Sequence, residues 1–138
     1  MDIAEIPFNK FIEITSDDEG QSCLSLEFKE HMKNHLGTMH ASAQFALAEA
    51  CSGLGLQICF PHLEGSVVPI LRKSEVKFKR PAASGIRAQA EILEEHKELF
   101  ERQLERKGRA SIEVAVNVFD QDGTITMSGN YEWFAQKI

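Results

Sequence analysis

Four residues in the first half of the chain have types and spacing that could do chemistry: Asn34, Gly37, His40 and Glu49. Asn34 and Gly37 signal a turn, and the residues that follow are small and apolar at helix-like density. Between Ala41 and Leu63 the only formal charge is Glu49. A carboxylate in such surroundings costs several kcal/mol, roughly, unless something pairs with it or keeps it protonated. Perturbed carboxylates concentrate at functional sites, so Glu49 is the candidate base or nucleophile. At the start of the same helix the N–H groups of Ala41 and Ser42 lie at the positive end of the helix dipole, where a developing oxyanion could be held.

Several elements must position these groups. The central helix runs from Ala41 to Phe60 and stops near Pro61. Before it, Phe8 to Ile14 reads as a first strand, closed by a polar loop from Thr15 to Gly20. Cys23 to Lys29 alternates as a strand with Leu24, Leu26 and Phe28 on its buried face. After it, Val67 to Lys79 reads as a long strand with Val76 and Phe78 inward, broken by Arg80-Pro81. Ile86 to Ile92 and Ser111 to Phe119 alternate as strands, Asp122-Gly123 supplies a hairpin turn, and Thr124 to Phe134 is the last strand. Glu95 to Lys107 has helical character, with Glu98 four residues before Arg102. It reads either as a surface helix docked by Leu99, Phe100 and Leu104 or as a lid or subunit contact near a ligand. One long helix followed by antiparallel strands is α+β by pattern.

Composition narrows the class of function. A chain of 138 residues fits a single domain spanning residues 1–138 with one core. A net charge of -6 argues against a nucleic-acid binder. Cys23, Cys51 and Cys59 are odd in number and show no metal-ligand pairing, which reads as buried reduced thiols in a cytoplasmic protein. No apolar run reaches the roughly 18 residues of a membrane span, because Glu49 interrupts the longest one. The acidic start, Met1-Asp2-Ile3-Ala4-Glu5, lacks the basic opening of a signal peptide.

The pattern of Asn34, Gly37, His40 and Glu49, with Phe45-Ala46-Leu47-Ala48 leading to the acid, resembles the hot-dog-fold acyl-CoA thioesterases of the PaaI type. That family usually has Gly-Gly where this chain has Ala41-Ser42, and often Asp where it has Glu49. The resemblance implies an antiparallel sheet wrapped around one long central helix, an acyl-CoA substrate, no metal or redox cofactor, and a homodimer that can pair into a homotetramer. It implies Glu49 as base or nucleophile, the Ala41 and Ser42 N–H groups as oxyanion donors, and Asn34 as a polar positioner. For Asn34 the competing reading is turn chemistry alone. His40 reads as a structural group bonding the loop backbone rather than as a general acid–base, and Gly37 as a turn residue rather than a substrate contact. Many relatives carry a hydroxyl ten residues before the Pro that ends the long strand; here that position is Leu71, and Ser74 is off register.

Helix arithmetic points to two chains. Positions 41 and 49 are about 12 Å apart along one helix, whereas reacting atoms must approach to roughly 3–3.5 Å. Two antiparallel helices would bring Glu49 of one chain to the helix start of the other. Arg72, Lys73, Lys77, Lys79 and Arg80 are the one basic concentration, suited to the phosphates of CoA or to an exposed strand face. Pocket shape is expected to depend on Phe45, Ile58, Phe60, Phe78 and the Glu95–Lys107 segment. Three rival readings remain: a non-catalytic acyl-CoA-binding protein, a hot-dog dehydratase using His35 with Glu49, and a metal site of His31, His35 and His40.

Overall fold

The computed structural model describes residues 1–16 and 23–138. Three α-helices, α1 (Pro7–Phe11), α2 (Ala41–Cys59) and α3 (Glu94–Lys107), combine with six strands. The strands are β1 (Thr15–Ser16), β2 (Cys23–Leu26), β3 (Val67–Phe78), β4 (Ile86–Glu91), β5 (Arg109–Phe119) and β6 (Ile125–Lys137). They form one antiparallel sheet in the order β1-β2-β4-β5-β6-β3. The sheet packs on α2 in the α+β hot-dog arrangement.

Alternation builds the sheet's inner face. Ala110, Ile112, Val114, Val116 and Val118 of β5 are buried, and their neighbours in the strand point to solvent. The helix sits unusually close to this face because Gly55 has no side chain: a Cβ there would lie 3.0 Å from the Ala90 Cβ of β4. Gly129 does the same between β6 and β3, where a Cβ would meet Val76 Cγ1 at 2.7 Å and the Glu75 carbonyl at 3.3 Å. At the β5–β6 hairpin Gly123 has φ +82°, and Asp120 Oδ1 accepts from the Asp122 and Thr124 N–H groups, as Asp122-Gly123 leads one to expect.

Three expectations are corrected. The Phe8–Ile14 strand is instead helix α1, because Pro7 stands at its first position with φ suited to a helix start. The buried Asn9 Nδ2 donates to the Ile3 carbonyl at 2.9 Å and ties that turn to the chain before it. Phe78 shares the inward side of Met127 but is half exposed, since β3 is the last strand of the sheet among the described residues. Leu99 is also half exposed; Phe100 and Leu104, one turn apart, dock α3 without it. The polar loop expected from Thr15 lies outside the described residues from Asp17 on.

β3 therefore has one bonded neighbour, β6, and a second edge of twelve residues with no partner strand among the described residues. Its exposed apolar side chains include Val68 and Ile70. A long apolar edge is a template for pairing with another chain. Replacing Gly129 with Ala is expected to destabilise the protein by about 1–3 kcal/mol, the usual cost of overpacking, as read from denaturant unfolding.

Candidate active site

The site is built from the start of α2 outward. Asn34 Oδ1 accepts from the Leu36 and Thr38 N–H groups at 2.9 and 3.1 Å, and its Nδ2 donates to Thr38 Oγ1 at 3.0 Å. Gly37 completes this turn with φ +75°, and nothing lies within 4 Å of where its Cβ would be. Asn34 and Gly37 thus shape the turn that delivers the chain to His40. His40 is the residue capping α2: its Nδ1 accepts from the Ser42 N–H at 2.9 Å, and its carbonyl accepts from Ala43 and Gln44. A ring nitrogen here does the work of the usual Ser or Asp cap.

That cap redistributes the expected oxyanion donors. The Ser42 N–H is occupied by the imidazole, whereas the Ala41 N–H has no hydrogen-bond partner among the described residues. Both residues are exposed at the helix tip. A single free N–H remains there, aimed along the axis at the positive end of a 19-residue helix.

Glu49 lies two turns further on, half-buried, with no hydrogen bond or ion pair to its carboxylate among the described residues. Burial alone pushes its pKa above the ordinary 4.5. Its backbone is well anchored. Ser52 Oγ donates to the Glu49 carbonyl at 2.6 Å and accepts from Trp133 Nε1 at 2.9 Å, which links this turn of α2 to β6. Tyr131 of β6 is fully buried beside Phe45, with ring centroids 5.5 Å apart, and its hydroxyl donates to the Phe45 carbonyl at 3.4 Å. Burial first, then the charge of Glu49, hold the phenol well above its usual pKa. Tyr131 is therefore a neutral donor near the acid. Ser52, Tyr131 and Trp133 have no motif to mark them in the sequence.

A bulge alters the register of β3. Leu71 pairs with Trp133 and Lys73 with Glu132, so Arg72 is an extra residue. From there Ser74 pairs with Tyr131 and shares its helix-facing side. The hydroxyl that appears off register in the sequence is thus returned to the side of the sheet that faces Glu49. The cations go elsewhere. Lys73 and Lys77 fall on the side away from α2, Arg72 lies over the Phe134 ring at 5.1 Å, and Lys79 and Arg80 follow the strand end. None of these has a carboxylate within ion-pair distance among the described residues, and none meets Glu49 of the same chain.

His31 is 3.7 Å from Glu13, and no metal-binding cluster occurs among the described residues. Cys51 is buried and its thiol is pushed up to about 12 by that burial, so it stays protonated; Cys59 is only half-buried. No described helix is long and apolar enough to cross a membrane.

Residues 7–135 match the model of the family described as a domain of unknown function, DUF4442. The chain belongs to this family. A Pseudomonas aeruginosa protein of unknown function described as a probable thioesterase is similar in structure, with a TM-score of 0.84 and 22% identity over 99% of this chain and 91% of that one. A thioesterase from Haemophilus influenzae has a TM-score of 0.75 at 14% identity, covering 98% of this chain and 86% of its own. A Bacillus halodurans protein crystallised with CoA has a TM-score of 0.71 at 18% identity, covering 93% and 74%. No curated protein matches the sequence.

If His40 serves as a cap, His40→Ala is expected to cost about 1 kcal/mol of stability while His40→Asn, a good capping residue, recovers most of it. Thermal unfolding of the two variants measures this, and turnover that survives in His40→Asn would confine the imidazole to a capping role.

Proposed function

We propose that the protein hydrolyses the thioester of an acyl-CoA at a site built by two copies of the chain. The observation that carries the reading is Glu49, a carboxylate with no counter-charge among the described residues, half-covered in an otherwise uncharged helix and close enough to Tyr131 of β6 to raise that phenol's pKa. Ala41 and Glu49 of one helix are too far apart to serve one carbonyl. A second chain added along the β3 edge would cover the half-exposed stripe of α2 and bring a second helix beside it, in a homodimer that can itself pair into a tetramer.

In this site the Glu49 carboxylate takes a proton from water as the water oxygen attacks the thioester carbonyl. The Ala41 N–H of the other chain receives the oxyanion. Collapse of the tetrahedral intermediate breaks the carbon–sulfur bond, and the leaving thiolate takes the proton that Glu49 holds. A direct attack by Glu49, with water cleaving the resulting anhydride, uses the same residues. Asn34 and Gly37 hold the turn that aims the helix start. Arg72, Lys73, Lys77, Lys79 and Arg80, exposed and with no carboxylate partner among the described residues, offer the phosphates of CoA a docking surface. The CoA in the Bacillus halodurans neighbour supports this substrate class. The buried, protonated Cys51 thiol is compatible with a reducing, cytoplasmic setting.

One observation favours a second reading, an acyl-CoA-binding protein without turnover: His40 already occupies the Ser42 N–H, which leaves one oxyanion donor of two.

Thiol release from a series of acyl-CoAs separates these readings. Glu49→Gln is expected to lower kcat by roughly 10²–10⁴ with the dimer intact by sedimentation; CoA binding with no turnover of any substrate would establish the second reading. The base must be ionised and its pKa is raised, so activity should fall as pH drops, with the midpoint of that limb above the ordinary 4.5. Ile70→Lys adds charge to an already cationic edge strand. It should shift sedimentation toward the monomer and reduce turnover in parallel, because each site needs both chains.

A further inference from the structure

A cavity of about 510 Å³ opens beneath the C-terminal half of α2. Its walls include Gly53, Leu56, Phe60, Val67, Phe100 and Trp133, and its polar side chains are Gln57 and the exposed Glu64. Glu49, Gly53, Leu56 and Phe60 stand at i, i+4, i+7 and i+11, one face of the helix. The cavity therefore continues the stripe on which Glu49 stands. Gly53 is the residue between the two. It lines the cavity, and a Cβ there would come into ordinary contact with the Trp133 ring at 3.5 Å, so a larger side chain would take up cavity space. The far end is closed by α3: Phe100 is buried, with its ring centroid 5.0 Å from that of Phe60.

We propose that this cavity holds the acyl chain of the substrate and that α3, through Phe100, sets the longest chain accepted. The assignment rests on the hydrolase reading above for the position of the thioester at Glu49. The dimensions select a medium-length chain. From Gly53 to Phe60 the helix advances about 10 Å, and from Glu49 about 16 Å. A staggered alkyl chain with carbon–carbon bonds of about 1.5 Å advances about 1.25 Å per carbon, so these spans take about eight to thirteen carbons. The volume is in the range of small-molecule sites, and apolar walls with few polar groups suit an alkyl chain better than a hydroxylated or charged one.

Trp133 is the single tryptophan of the chain and lines the cavity, so its fluorescence reports occupancy without any chemistry. The probes are butanoate, octanoate, dodecanoate and hexadecanoate, titrated into the dimeric protein below their micelle concentrations. Octanoate and dodecanoate are expected to give saturable changes in Trp133 emission, with affinity rising by about fourfold per methylene, and butanoate none. Gly53→Leu, which fills the passage, should weaken dodecanoate binding by about tenfold or more. Phe100→Ala should move the optimum toward hexadecanoate. Should Gly53→Leu not fold, Leu56→Phe narrows the same cavity from the next turn.

No saturable response to dodecanoate, or equal binding by the filled variant, overturns the assignment. A cavity filled by a second copy of the chain would give that same lack of response, with dimerisation weakened by Gly53→Leu. Dodecanoate binding without turnover of dodecanoyl-CoA leaves the pocket standing and removes the hydrolysis. Turnover whose chain-length profile ignores both Gly53→Leu and Phe100→Ala removes the pocket and leaves the hydrolysis.

Discussion

The structure depends on one electrostatic constraint, a carboxylate held in an apolar helix with no counter-charge among the described residues. Burial disfavours the ionised form of Glu49, and its raised pKa expresses that cost. The surrounding groups do not relieve it. Tyr131, the nearest titratable group in the sheet, is itself pushed toward its neutral form by the same burial and by the charge of Glu49. Such an arrangement costs stability, as perturbed carboxylates at functional sites commonly do.

The remaining architecture keeps that acid in place while leaving one side of it open. Gly55 lets α2 settle onto β4, and the Trp133–Ser52–Glu49 chain of hydrogen bonds fixes the helix turn to β6. At the helix start, the Asn34 turn and the His40 cap use most of the local polar groups for geometry. The expenditure is selective. Capping by the imidazole removes the Ser42 N–H from solution and leaves the Ala41 N–H as the exposed dipole end. On the open side, β3 ends the sheet with an edge that has no partner strand among the described residues. Within one chain the acid and the helix tip stand about two turns apart on α2.

Helix α3 illustrates how an insertion can acquire a role through packing alone. Read as a sequence, Glu95–Lys107 is charged and amphipathic, first a docked surface helix and second a lid or subunit contact. In the fold Phe100 meets Phe60 and Leu104 goes into the core, so the helix becomes the end wall of the cavity beneath α2. Of the side chains expected to shape a pocket, Phe60 lines it, Phe45 packs on Tyr131, and Ile58 and Phe78 are half exposed.

Local rules made much of this protein legible in its sequence. Period-two alternation marked β2, β4 and β5, because a half-buried strand must alternate. A long uncharged run bounded by a turn and Pro61 marked α2, and the isolation of Glu49 marked the acid. The segment at Phe8 misled because a short run of aromatic and aliphatic residues has no distinctive period, and only Pro7 hinted at a helix start. What tertiary structure alone decided depends on residues far apart in the chain. The bulge at Arg72 is visible only against β6, and it turns Ser74 toward the helix. Tyr131 and Trp133 reach Phe45 and Ser52, on either side of Glu49 in α2, across separations of 86 and 81 residues that no spacing rule encodes. The cavity and its closure by Phe100 are properties of packed surfaces, and a linear pattern records which residues are apolar but not what lies opposite them.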